Sequence, residues 1–139
     1  DPKNFLTKDL MPSEKESFYL MKNTLDRIDN VHYIETMLYS QTVGLAGQVD
    51  CIAEFDGVPS IIDFKTSSKL KREEWIEDYF LQTTAYSLMY EDMTDVKAKQ
   101  IVILISVEDV PEPQIFVKNR RDYIPNLAEK LKEFRSLSL

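Results

Sequence analysis

Two aspartates and a lysine draw attention in the stretch GLAGQVDCIAEFDGVPSIIDFKTS, residues 44–67. Asp56-Gly57 in its middle is a strong hairpin signal, because both residue types tolerate positive φ. A two-residue turn there sets Phe55 against Val58 and, counting outward, Asp50 directly against Asp63. The count makes them a non-hydrogen-bonded pair, the closer kind, with Cα atoms about 4.5 Å apart. Lys65 lies two residues beyond Asp63 and therefore on the same face. Val49, Cys51, Ala53, Phe55, Val58, Ile62 and Phe64 fall on the other face, which reads as core. Like charges opposite each other destabilise a sheet, so the pair calls for a shared proton or a cation. Lys65 can neutralise one charge. A divalent ion suits two carboxylates better, and hard oxygen ligands favour Mg2+ or Mn2+. A salt-bridged surface hairpin is the competing reading; the apolar neighbours count against it.

An Asp-x-Lys triplet alone arises by chance in chains of this length. Its weight here comes from the facing Asp50. Glu35, in the preceding strand, shares a face with Tyr33 and Met37 and is either a third acid ligand or an ordinary edge-strand glutamate. Gln82 and Tyr86 stand at i and i+4 of a helix and share a face. Trp75 and Tyr79 extend that stripe and read as core. Lys69, Lys71 and Arg72 either contact phosphate or solvate the start of the helix. His32 alternates away from Glu35 and reads as structural or exposed.

These residues need a scaffold. PSEKE at 12–16 opens a helix, with Pro in the first turn and acids beside it; Phe18, Met21, Leu25 and Ile28 form its apolar stripe and Asp29-Asn30 ends it. Residues 31–40, 44–55 and 58–66 have strand character. Residues 72–90 read as a long helix, 100–107 as a buried strand and 114–117 as a short one. Residues 122–135 read as a final helix with Leu127, Leu131 and Phe134 inward. The order α-β-β-β-α-β-β-α predicts an α/β fold, a mixed central sheet flanked by helices.

With 139 residues, 43% of them hydrophobic, the chain has material for one domain and one core. No apolar run approaches the roughly 20 residues of a membrane helix, so no membrane association is expected. One cysteine, Cys51, excludes an internal disulfide and an iron–sulfur cluster held by four cysteines. With one histidine beside it, a structural zinc site is disfavoured. The net charge of −7 argues mildly against nucleic acid. Carboxylates gathered around metal ions, however, make a chain look more acidic than its loaded form. No G-x-G-x-x-G or P-loop motif is present.

Glu35, Gly47-x-x-Asp50, Asp63-Phe64-Lys65 and Gln82-x-x-x-Tyr86, taken as an ordered set, resemble the PD-(D/E)XK nuclease superfamily in its RecB-like exonuclease branch. Residues 34–69 are similar to mitochondrial genome maintenance exonucleases and their phage relatives. The resemblance is strong over residues 31–90 and extends through the element order toward the C-terminus. It implies a restriction-endonuclease-like core filling residues 1–139 as a single domain. It implies that Glu35, Asp50, Asp63 and the Phe64 backbone carbonyl hold Mg2+ or Mn2+, and that Lys65 orients or polarises the attacking water. Gln82 and Tyr86 would support the site or touch the nucleic acid, with Lys69 and Lys71 as further DNA contacts. The expected substrate is DNA, single-stranded or with free ends, cut in replication, repair or recombination beside partner proteins of those processes. The expected location is intracellular: host cytoplasm for a phage or bacterial source, the mitochondrion for a eukaryotic one. The family pattern also carries an upstream helical histidine. Nothing here matches it, since His32 is too close to Glu35, and the expectation is that this helix lies before Asp1. Two alternatives stay open: a DNA-end-binding module of the same fold without activity, and a structure-specific endonuclease.

Overall fold

The computed structural model describes residues 22–42 and 44–138. A short helix, α1 (Lys22–Leu25), leads into a five-stranded sheet: β1 (Ile28–Ser40), β2 (Leu45–Phe55), β3 (Val58–Ser67), β4 (Gln100–Val107) and β5 (Gln114–Asn119). A 3-10 turn (Glu73–Trp75) and a long helix, α2 (Glu77–Thr94), connect β3 to β4. A second 3-10 turn (Arg120–Asp122) precedes the last helix, α3 (Ile124–Ser138). The strands lie in chain order, β1-β2-β3-β4-β5. Every neighbouring pair is antiparallel except β3 and β4, which run parallel. A parallel pair needs a crossover, and α2 is that crossover. The mixed sheet with flanking helices is the fold that the patterning predicts.

The side of the sheet that carries α2 holds most of the core. Ile101, Ile103 and Ile105 of β4 pack there with Ile76 and Phe80, while Val49, Ile52 and Ile61 meet Tyr86 and Met89. Leu127 of α3 packs behind α2 on Leu81 and Ala85, with Leu131 beside it. On the opposite side, Leu25 and Ile28 cover Cys51, Phe55, Ile62 and Leu104. β4 has both faces buried, as expected for a strand in the parallel part of a sheet.

Several expectations shift. The stripe of Phe18 and Met21, and nearly all of the helix opened at 12–16, lie outside the described residues, as does the Phe134 side chain. Ile28 is the first residue of β1 and fully buried, so Asp29-Asn30 do not end a helix. Val58 is 44% exposed instead of core, because it sits at the hairpin tip beyond the covering elements. Val49 packs on the α2 side and Cys51 on the other, although residues two apart in a regular strand share a face. The pleat therefore breaks at Asp50. Its counterpart in β1 is Glu35, at φ 48°, between the pairs Ile34↔Cys51 and Thr36↔Val49. Paired irregularities of this kind re-aim side chains beside functional sites.

Trp75 is the clearest departure. The helix does not begin at residue 72: a 3-10 turn comes first, and α2 starts at Glu77. The change of winding takes Trp75 out of the stripe of Tyr79, and it is 64% exposed instead of core. Tyr79 is half-buried and packs beside Phe80.

Candidate metal and phosphodiester site

The hairpin turn forms as its residues dictate. Asp56 (φ 53°) and Gly57 (φ 79°) occupy the left-handed region, and Phe55 faces Val58. Arg27 secures the turn from outside, with Nε donating to Asp56 Oδ1 at 2.8 Å. From here β2 and β3 pair outward as far as Cys51↔Ile62. Beyond that the ladder opens. A regular continuation would aim the Phe64 N–H at the Val49 carbonyl; it donates instead to Asp50 Oδ2 at 2.9 Å. One aspartate is thereby fixed by the backbone of the segment that carries the other.

Asp50 and Asp63 still meet. Asp63 is buried, at 6% exposure. Its carboxyl is pushed up to about 7, chiefly by burial, then by its hydrogen bond to Asp50 and by Asp50's charge; Lys65 pulls the other way. A buried carboxyl beside a second carboxylate holds its proton to a higher pH than a solvated one does. Lys65 Nζ stands 3.0 Å from Asp63 Oδ2. That oxygen is buried and has no hydrogen-bond partner among the described residues, so the ammonium contact is electrostatic and not aligned. An orphaned buried acceptor beside a second carboxylate is the kind of all-oxygen donor set that a hard divalent ion completes. Two carboxylates fit part of such an ion's shell; among the described residues no third acidic side chain joins them.

α2 closes the site from above the sheet. Lys65 Nζ donates to Gln82 Oε1 at 3.5 Å and lies 4.8 Å from the centre of the Tyr79 ring. Gln82 Nε2 donates to the Tyr86 hydroxyl at 3.1 Å. Burial raises the Tyr86 phenol above its ordinary pKa, so it remains a neutral donor. Gly47 makes room for Tyr86: a β-carbon on Gly47 would lie 2.8 Å from Tyr86 Cε1. This gives a steric reason for the glycine three residues before Asp50.

Asp50, Asp63, Lys65, Gln82 and Tyr86 thus converge. Glu35 lies at the level of Asp50 in the neighbouring strand but is exposed, and among the described residues no three acidic, histidine or cysteine side chains are grouped closely enough to hold a metal. Phe64 takes part through its N–H. Lys69 is exposed, its backbone tied to the Ser67 hydroxyl. Lys71 is bracketed by Gln114, which accepts from its N–H and donates to its carbonyl, both at 2.8 Å. His32 is exposed. Tyr79 as a seat for the Lys65 ammonium escapes a reading of the sequence, although its spacing to Gln82 and Tyr86 already places it on their face.

An acid pair and a lysine thus project from a hairpin and face the crossover helix of a mixed sheet. The sequence matches the family model of the PD-(D/E)XK nuclease superfamily over residues 8–137, and the chain belongs to that superfamily. No curated protein matches it significantly. Among solved structures, the crystal structure of SSO0001 is similar at 15% identity and a TM-score of 0.43, over 88% of this chain and 61% of that one. The chain spans less than two thirds of that protein's length.

Proposed function

We propose that this chain is a metal-dependent deoxyribonuclease, an exonuclease of the RecB-like branch, hydrolysing single-stranded DNA from its ends. The observation that carries the reading is the buried Asp63 beside the half-buried Asp50, with Lys65 against the Asp63 oxygen, in a chain of this superfamily. Asp50, Asp63, the Phe64 carbonyl and Glu35 would hold Mg2+ or Mn2+, which when bound lowers the pKa of water and offsets charge on phosphoryl oxygens. The chain's own groups do the rest. Lys65, held near Gln82 and Tyr79, places a fixed positive charge where negative charge develops on the phosphoryl oxygens. Gln82 and Tyr86 hold that lysine in place, and Lys69 and Lys71 meet backbone phosphates. In this reading the enzyme works inside a cell, in DNA replication, repair or recombination, beside proteins of those processes.

End-labelled single-stranded DNA tests this directly. With Mn2+ the chain should release mononucleotides, and EDTA should stop the release. Asp63→Ala and Lys65→Ala should abolish it while far-UV circular dichroism is unchanged; full activity in either variant removes the assignment. A circular single strand should stay intact, whereas its cleavage would make the enzyme an endonuclease. The exposed, ungrouped position of Glu35 favours one alternative, a DNA-end-binding module without activity. Tight strand binding with no release in Mn2+ would establish it.

A further inference from the structure

The 3-10 turn between β3 and α2 contributes nothing to the core: none of Glu73, Glu74 and Trp75 is buried. Single exposed apolar residues are ordinary on protein surfaces, so exposure alone carries no meaning. The surroundings of Trp75 are less ordinary. The Arg72 guanidinium lies over its ring, 5.3 Å from the ring centre. The segment leading to it, KTSSKLKR at 65–72, holds four cations and no acid in a chain of net charge −7. None of the described ion pairs takes Lys69 or Lys71, whereas the acids that follow are engaged. Glu73 pairs with Lys118, Glu74 with Arg72, Asp78 with Lys130, and Glu77 accepts from Asn126.

Position completes the case. This cationic segment begins at Lys65 in the acid site and ends at the tryptophan. Trp75 is four residues from Tyr79, whose ring seats the Lys65 ammonium, and four residues span at most about 15 Å. Lys69 and Lys71 belong to the stretch of chain that joins the two, and a strand whose phosphate lies against Lys65 has the indole within reach of a few nucleotides. Aromatic rings and guanidinium planes are what unpaired bases stack on, and a duplex, whose bases already stack on each other, gains nothing from them.

We propose that Trp75, backed by Arg72, is a stacking platform for an unpaired base of the nucleic-acid strand led into the acid site. This rests on the nuclease reading and adds the element that selects a single strand over a duplex. The platform binds substrate and takes no part in bond cleavage.

The chain has one tryptophan, so its emission reports on this position alone. The protein in EDTA is titrated with oligothymidylate, with an abasic strand of the same length, with a blunt duplex and with anionic phospholipid vesicles. Oligothymidylate should quench the emission saturably, while the abasic strand binds more weakly and leaves it unchanged. Trp75→Ala should weaken oligothymidylate binding, read by anisotropy of a labelled strand, about 5- to 150-fold, the equivalent of one stacked base. Trp75→Phe should restore most of it. Strand binding with unchanged emission, equal quenching by the abasic strand, stronger quenching by duplex or vesicles, or unweakened binding by Trp75→Ala overturns the proposal. The two readings fail separately. Cutting with a silent tryptophan removes the platform and keeps the nuclease. Quenching by the strand without cutting in Mn2+ keeps the platform and removes the nuclease.

Discussion

Gly47 of β2 lies so close under the Tyr86 ring of α2 that a β-carbon would stand 2.8 Å from Cε1 and 3.1 Å from the hydroxyl oxygen. Tyr86 is 8% exposed and its hydroxyl accepts from Gln82, so it has little room to retreat. Gly47→Ala should therefore lower stability by about 1–3 kcal/mol through overpacking. It should also reduce nucleotide release roughly tenfold through the displaced Gln82. Thermal denaturation and the release assay check both. Because Tyr86→Leu removes the clashing ring, the double variant should be less destabilised than the two single changes added together. Strict additivity would show that the two residues do not press on each other.

Asp63 sets a pH dependence whose sign follows from its pKa. Burial and Asp50 raise the folded value to about 7, against about 3.9 in an unfolded chain. A raised value contributes stability that is complete below about pH 4 and lost as pH climbs through about 7. In EDTA, the free energy of urea unfolding should therefore fall between pH 4 and pH 8, by up to about 4 kcal/mol from this group. Asp63→Asn should flatten that slope. If, as proposed, a divalent ion binds in place of the proton, Mn2+ should raise Tm more at pH 8 than at pH 5. A metal-free protein that grows more stable across this range through Asp63 would contradict the burial of Asp63 beside Asp50.

The Lys65 ammonium is held from three directions, by Asp63 Oδ2 at 3.0 Å, Gln82 Oε1 at 3.5 Å and the Tyr79 ring at 4.8 Å. Arginine cannot occupy that seat with the same point charge, so Lys65→Arg should lose at least about 100-fold in kcat. Gln82→Ala removes only a support and should lose about tenfold, in kcat with KM nearly unchanged. Steady-state kinetics on a single-stranded oligonucleotide separate the two. A change confined to KM would place Gln82 in strand binding instead.

Cys51 should be inert. It is fully buried, and burial together with the neighbouring Asp50 charge pushes its thiol up to about 12. The thiolate is the reactive form, so iodoacetamide at pH 8 should leave the folded protein unlabelled and label it in urea. Mass spectrometry reads both. Labelling of the native protein at a rate like that of a free thiol would mean that the β2 core opens.

How far the sequence reveals this molecule depends on whether a feature is local. The Asp56-Gly57 turn is set by two residues whose backbone preferences leave little choice, and the register out to Cys51 and Ile62 follows from it. Asp50, Asp63 and Lys65 converge because alternation along those strands nearly holds. Where alternation fails, at Asp50 and Glu35, periodicity has nothing to say, and Val49 lands on the unexpected side. α2 is packed between the sheet and α3, so residues 83–87 are all buried and its stripe loses contrast. RREEW resembles a helix start, which draws Trp75 into that stripe on paper. Only the 3-10 turn, a matter of winding, turns it outward.

The contacts that shape the site span short stretches of chain: 14 residues from Asp50 to Phe64, 17 from Lys65 to Gln82 and four from Gln82 to Tyr86. Loops this short carry little closure entropy, and low contact order favours early formation. Such a centre takes shape as one hairpin and its crossover settle together. Among the described residues, the centre is thus a local unit, assembled by one turn and one helix from neighbouring stretches of chain.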